Sequence, residues 1–515
     1  MAEFYVRAGR ALQDILAKRG SIKAITAQAD DRKEDARAAG NAKRILALVV
    51  NTLSFRATLQ PILTKVDVVG REKWFGSASP LNRTKGALSP PAPTLASCIL
   101  LVLTHDLLFA SRGIQAAKAW PPRVALEKYK SQLHAELVRV QLRMGKSRPE
   151  ELRSGAEERR IAGRIPRWCR VNTLKTSAED AVAHLEEQGW SLLEGDTIYK
   201  DTQFLRSKHV ENVLAFHPHA TSRLMKTELF RNGALILQDL ASCFPAAVLD
   251  PLHDGPKDTT AMDATSAPGN KTSHLSALMQ GRGKLTALER APNRYATLVR
   301  LLGRAGCLAR EHGNVHPKKT DFLSLDPAEH DAVQYMLLDP SCSGSGIVNR
   351  LDYLSGNDDE QDNLEDVDPA EKGQALAARL ANLAGLQTNM IRHAMTFPGL
   401  TRFTYSTCSI HEEENEAVVQ KVLESDEAKA GRWRLVPRDR VLPSWPERGR
   451  PDACGGDEAM AAAMVRCTPG GLIDLPEGTV HANATNGFFV CCFEREPKRT
   501  ASEDGTQKKK KKKRK

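Results

Sequence analysis

From residue 234 onward the chain alternates short apolar runs with longer helical ones, and this alternation restricts the fold more than any other feature. Candidate strands fall at residues 234–237, 260–263, 284–288, 334–339 and 401–406, with helix-like spacing between them. Parallel strands need a crossover, usually a helix, to connect them, so this pattern predicts a doubly wound, mostly parallel α/β sheet of the Rossmann-like class. Ligands of open α/β sheets collect outside the carboxyl ends of the strands. The residues just after each apolar run are therefore where chemistry is expected.

Upstream the periodicity is different. Tyr5, Ala8, Leu12, Ile15 and Leu16 follow helical spacing, as do Ile45, Leu46, Val49 and Leu53. A third helix is expected over 124–144, with Leu126, Leu133, Leu137 and Val140 inside and Lys128, Lys130, Arg139 and Arg143 outside. That basic face could touch phosphates, although a solvated face is the commoner reading. Residues 78–94 hold four prolines and read as a loop, and the polar stretch 145–163 reads as a linker. A strand at Arg170-Val-Asn-Thr-Leu174 and a helix over 178–188 suggest a small α/β module. The expected organisation is a helical domain over 1–150, an RNA-binding-like module over 164–232, the doubly wound domain over 233–497 and a basic tail over 498–515. Residues 357–371 form an acidic insertion, expected to be disordered.

Charge and cysteine usage narrow the class. The formal charge is +11, from 74 basic and 63 acidic residues, but the last eight residues are all Lys or Arg. Without them the count is 66 against 63. The body is nearly neutral and the tail reads as a nuclear or nucleolar signal, or a nucleic-acid patch. None of the ten cysteines has CxxC spacing. No metal site is expected, and a reduced compartment suits the chain. The start lacks a charged-then-apolar signal pattern. The apolar run at 99–103 is far shorter than the ~20 residues that span a bilayer, so a soluble protein is expected.

Three strand ends carry the chemistry. Asp263-Ala-Thr-Ser-Ala-Pro-Gly-Asn-Lys271 follows one strand and leads into a helix. Gly269 permits close backbone approach, the helix N-terminus suits a carboxylate, and Lys271 adds charge. Glu289 ends the next strand, at the distance where an acid binds ribose hydroxyls in doubly wound folds. The glycine spacing is not GxGxxG, which counts against a dinucleotide. Next, Met336-Leu-Leu-Asp-Pro-Ser-Cys-Ser-Gly-Ser-Gly346 puts Asp339 and Cys342 after a strand. Phe403-Thr-Tyr-Ser-Thr-Cys-Ser-Ile-His-Glu412 repeats the arrangement with Cys408, and Ser409-x-x-Glu412 reads as a capping box. A lone cysteine is usually a small buried hydrophobe. Two cysteines and a carboxyl converging on one crevice suit covalent catalysis, with a helix N-terminus available to ionise Cys408.

Together these segments resemble the Nop/Sun (RsmB-like) family of RNA cytosine-C5 methyltransferases. The likeness is greatest over 263–272, 338–346 and 405–416. It is weaker at Arg170-Val-Asn-Thr-Leu, at Leu237-Gln-Asp-Leu-Ala-Ser242, and at Asn486-Gly-Phe-Phe-Val490, which resembles the family's closing strand. The resemblance implies S-adenosylmethionine as cofactor, held by Thr265, Ser266, Ala267, Pro268, Gly269, Asn270, Lys271, Glu289, Asp321 and Asp339, with Asp321 at the adenine. It implies Cys408 as the nucleophile at cytosine C6, Cys342 as the residue aiding release, and Asp339 serving the base as well. Cytosine C5 is a poor nucleophile, and a thiolate at C6 activates it, so the chemistry is coherent. Ser341, where a second proline is more frequent, and Arg19-Gly-Ser-Ile-Lys23 are similar to the eukaryotic large-subunit branch. That implies 25S/28S rRNA, in a pre-ribosomal particle, as partner and the nucleolus as the place of action. Thr265-Ser stands where the family often has Cys-Ala, away from the nucleophile. Two other readings stay open: a tRNA cytosine-C5 methyltransferase, and a ribosome-assembly factor with dispensable catalysis. An amino methyltransferase would favour an Asn/Asp-Pro-Pro-aromatic loop, which Asp339-Pro-Ser-Cys is not.

Overall fold

The computed structural model describes residues 2–17, 19, 22, 25–26, 36–83, 93–250, 259–311, 313–348, 369–473, 476 and 478–496. The acidic stretch up to residue 368 and the tail from 497 lie outside these residues, as does most of the expected loop at 78–94. The chain divides into two compact units, one of residues 1–160 with 349–374, the other of 161–348 with 375–515.

The first unit is helical. Its main described helices are α1 (Ala2–Leu16), α2 (Ala36–Ser54), α3 (Arg56–Val66), α4 (Leu95–Phe109), α5 (Pro121–Glu127) and α6 (Lys130–Arg143). The apolar run at 99–103 lies in α4, which is buried on every side except at Ser97 and Phe109. A helix that is apolar all round belongs inside a bundle. Gly9 on α1 sits so near α4 that an added Cβ would lie 2.5 Å from Ile99 Cγ1. The single helix expected over 124–144 is broken. Tyr129 leaves the helical path at the junction of α5 and α6, and Lys128 and Tyr129 both reach Glu72, at 2.8 and 3.3 Å. The expected basic face is partly spent on internal acids, since Lys128 pairs with Glu72 and Arg139 with Glu136.

The second unit contains two larger sheets. The smaller is built from β1 (Arg167–Val171), β2 (Ser191–Leu192), β3 (Gln203–Arg206), β4 (Val213–Phe216) and β5 (Leu235–Leu237), in the order β2-β3-β4-β1-β5. Strand alternation sends Cys169 and Val171 of β1 to one face, with Val182 and Leu185 of α7 (Ala178–Glu187), and Trp168 to the other. The strand at 234–237, which the sequence pattern assigns to the large sheet, is β5. It pairs antiparallel with β1 and extends the small module to about residue 238.

The large sheet follows after α8 (Leu240–Leu249). Its parallel part comprises β6 (Thr260–Asp263), β7 (Lys284–Leu288), β8 (Val315–Lys318), β9 (Tyr335–Leu338) and β10 (Arg402–Thr407), joined through α9 (Asn270–Leu278), α10 (Pro292–Ala305) and α11 (Pro369–Met395). Beyond α12 (Glu416–Leu423), three further strands are β11 (Trp433–Leu435), β12 (Val465–Cys467) and β13 (Phe488–Arg495). The order is β11-β13-β10-β9-β6-β7-β8, with β12 also on β13. Both faces are covered. Tyr335 and Leu337 pack with residues of α9 and α10, while Met336 and Leu338 pack with Met390 and Ile391 of α11. This double burial is why the parallel strands read as unbroken apolar runs.

Candidate functional site

The parallel strands β6, β7, β9 and β10 all point their carboxyl ends to one edge of the sheet, and nearly every residue singled out by sequence lies there. Asp263 ends β6, Glu289 follows β7, Asp321 lies three residues after β8, Asp339 follows β9 and Cys408 follows β10. β8, which no apolar run marks in the sequence, is an edge strand that sets the position of Asp321.

Asp339 is the best-held group of the set. Its backbone N–H donates to Thr265 Oγ1 (2.9 Å), Ser406 Oγ donates to Oδ1 (2.7 Å), and Lys271 Nζ donates to Oδ2 (2.7 Å). Lys271 also donates to Ser242 Oγ (3.1 Å). Burial works against the ammonium, but the Asp339 carboxylate outweighs it and holds Lys271 above its ordinary pKa. Nearby, Asp263 accepts from Thr272 Oγ1 (2.7 Å) and from Thr265 N–H (3.2 Å). Burial raises its carboxyl to about 6.

The two cysteines meet, although 66 positions separate them. Cys342 Sγ and Cys408 Sγ lie 3.0 Å apart with no disulfide between them. The hydrogen bond with Cys408, and then burial, push the Cys342 thiol well above the usual range. Backbone bonds set this approach: Gly346 N–H donates to the Cys408 carbonyl (2.9 Å) and Gly487 N–H to the Gly346 carbonyl (2.7 Å). Glycine is required there, because a Cβ on Gly346 would lie 2.3 Å from Gly487 O.

The loop after Cys408 departs from expectation. No capping box forms. Ser409 Oγ instead accepts from His411 N–H and meets the hydroxyls of Ser343 (3.1 Å) and Ser345 (3.3 Å), stitching the two cysteine loops together. A short 3-10 turn over Glu412–Glu414 precedes α12, so no α-helix begins directly after Cys408. Sequence reasoning also missed Glu414 and Gln387, both fully buried beneath Cys342. The one signal was the nearness of Glu414 to a strand-end cysteine.

The turn between β6 and α9 has the chemistry of a cofactor cradle. Gly269 has φ +113° and caps α9 without a side-chain bond, which leaves first-turn N–H groups for a carboxylate. Ser266 N–H bonds the Leu288 carbonyl (2.9 Å), Ala267 O accepts from Arg294, and Asn270 Nδ2 reaches Leu237 O. Pro268 follows a cis bond. Glu289 accepts from Ala291 N–H (2.8 Å) and pairs with Arg294 (3.3 Å), while Asp321 accepts from Leu323 N–H (3.1 Å) and meets Arg290 (3.3 Å). Acids at successive strand ends suit ribose hydroxyls and an amino group, so these residues fit S-adenosylmethionine.

Comparison with known proteins agrees with this arrangement. A family model for 16S rRNA methyltransferase RsmB/F matches residues 247–438. Models for the ferredoxin-like and N-terminal domains of NOL1/NOP2/Sun domain family member 5 match residues 165–238 and 43–152. The 25S rRNA (cytosine-C(5))-methyltransferase rcm1 of Schizosaccharomyces pombe is 34% identical over 95% of this chain and 90% of its own length. The 28S rRNA (cytosine-C(5))-methyltransferase of Mus musculus is 33% identical over the same shares. The crystal structure of PH0851 has the same fold, with a TM-score of 0.56 at 19% identity over 96% of this chain and 99% of that one. With its N-terminal, ferredoxin-like and catalytic segments matched in turn, this chain belongs to the NOL1/NOP2/Sun family, in the branch of member 5.

Proposed function

We propose that this methyltransferase forms 5-methylcytosine in large-subunit (25S/28S) rRNA, within a pre-ribosomal particle in the nucleolus. The observation that carries the chemistry is the pair of thiols 3.0 Å apart, flanked by Asp339 in its bond to Lys271. The methyl donor is S-adenosylmethionine, which when bound supplies an electrophilic methyl group on a sulfonium. Residues Thr265 to Lys271, Glu289 and Asp321 would hold it, and Asp339 would border both it and the base.

Cys408 attacks as the thiolate. Its sulfur bonds to C6, and ring electrons move toward N3, where the proton shared by Lys271 and Asp339 offsets the charge. C5 is then nucleophilic and takes the methyl group. While Cys408 is ionic, Cys342 stays protonated as its hydrogen-bond donor, which matches the upward shift of that thiol. Once Cys408 is a thioether, the hydrogen bond that held the Cys342 proton is gone, and Cys342 gives that proton to water and becomes the thiolate. It removes the C5 proton, the C5–H electrons form the C5=C6 bond, and the C6–S electrons return to Cys408. The target base must leave its stack to reach the site.

Two experiments test this reading. Cys408→Ala should abolish methylation and give no covalent RNA adduct, whereas Cys342→Ala should accumulate the adduct on a denaturing gel. The reverse pattern would exchange the two roles. Deleting the gene should remove one 5-methylcytosine from large-subunit rRNA in bisulfite sequencing, and an unchanged rRNA profile with a lost tRNA signal would assign the substrate to tRNA.

A further inference from the structure

Glu414 is a carboxylate with no contact to bulk water. Its Oε1 accepts from the Ser343 backbone N–H (2.9 Å) and from Gln387 Nε2 (3.0 Å). Its Oε2 has no hydrogen-bond partner among the described residues. A buried, half-satisfied acid is costly, so its remaining bonds must serve something. Gln387, also fully buried, donates to the Ser341 carbonyl as well (3.1 Å), and its Oε1 accepts from the Tyr405 hydroxyl (3.1 Å).

The bonds to Ser343 and Ser341 hold the peptide groups on either side of Cys342. On the other loop, Thr407 Oγ1 accepts from Ser409 N–H (3.2 Å) and Gly346 N–H donates to the Cys408 carbonyl (2.9 Å). Glu414 and Gln387 thus act on the Cys342 side of the thiol pair. The contributors come from three elements: α11 for Gln387, β10 for Tyr405, and the turn before α12 for Glu414.

We propose that Glu414, acting with Gln387, is a positioning residue for product release: it fixes Cys342 where that thiol takes the C5 proton. This rests on the roles assigned above to Cys342 and Cys408. Neither Glu414 nor Gln387 touches the reacting atoms. Their loss lets the Cys342 loop shift by a fraction of an ångström, which slows proton removal while Cys408 still attacks and methyl transfer still proceeds.

The test uses the full chain, S-adenosylmethionine and large-subunit rRNA from cells lacking the gene. Released methylated RNA and covalent adduct are measured in the same reaction. Glu414→Ala should lower release by about tenfold, the size of one or two lost hydrogen bonds, and should accumulate adduct although Cys342 is present. Glu414→Gln keeps an oxygen to accept from Ser343 and should recover most of the release. If Glu414→Ala does not fold, as judged by its thermal transition, Gln387→Met carries the test: it matches the side chain in length and leaves Glu414 in place. Adduct accumulation in Gln387→Met supports the proposal. A parallel fall of adduct and release in the folded variants overturns it and leaves Glu414 a structural residue. Cys342→Ala run alongside separates the two failures, since absence of adduct there would overturn the role assignment itself.

Discussion

Asp263 is a carboxyl at the end of a buried parallel strand, and its environment disfavours its charge. Burial raises it from 3.8 to about 6. Below about pH 4 the group is protonated in both folded and unfolded chains and its contribution to stability is fully present. As pH rises through 6 the unfolded chain ionises more readily, and that contribution is lost. Two pKa units correspond to about 3 kcal/mol. Urea unfolding between pH 4 and 7 should show this decline in the natural protein, and Asp263→Asn should flatten that part of the slope, whatever it does to the stability at pH 4. Among single residues, Asp339, Cys342 and Cys408 were legible because each sits just past an apolar run in a loop rich in small residues. Glu414 was not. It lies in the run Glu412-Glu-Glu-Asn-Glu416, which reads as a solvated face until Ser343, 71 positions upstream, supplies the N–H that draws it inside. Gln387 was hidden for the same reason: helical spacing marks the inner face of α11 but not which polar group is wanted there.

At the scale of elements, the site depends on two strand-end loops kept at a fixed separation. Gly346 and Gly487 set it. Gly346→Ala would place a methyl group 2.3 Å from Gly487 O, and the backbone must move apart. The expected result is a loss of about 1–3 kcal/mol in stability together with a fall in methylation greater than that loss of folded protein explains, measured by activity per folded molecule. The sheet itself was largely readable from its apolar runs, and its failures have local causes. β5 has the composition of a buried parallel strand, yet it follows the small module closely enough to pair with β1. β8 reads Val-His-Pro-Lys, four residues with no apolar run, and its edge position tolerates the proline. Ser409 has the spacing of a helix cap, but the serines of the neighbouring loop claim its hydroxyl.

For the whole molecule, the division into two units separates folding defects from chemical ones. Every candidate site residue lies in the unit of residues 161–348 and 375–515. Gly9→Val, which drives a side chain into Ile99, should destabilise the first unit by about 1–3 kcal/mol and lower its thermal transition. S-adenosylmethionine affinity in an equilibrium binding assay should stay unchanged. A second global feature is the placement of β13. This strand comes late in the chain, yet it lies inside the large sheet, between β11 and β10. The residues just before it, Asn486 and Gly487, bond to Asp239, Val348 and Gly346. During synthesis the loops that carry both cysteines leave the ribosome well before this strand does, and they wait without the neighbour that spaces them. A messenger cut short between codons 415 and 486 yields a protein that contains every catalytic side chain and still lacks the residues that space the two cysteine loops.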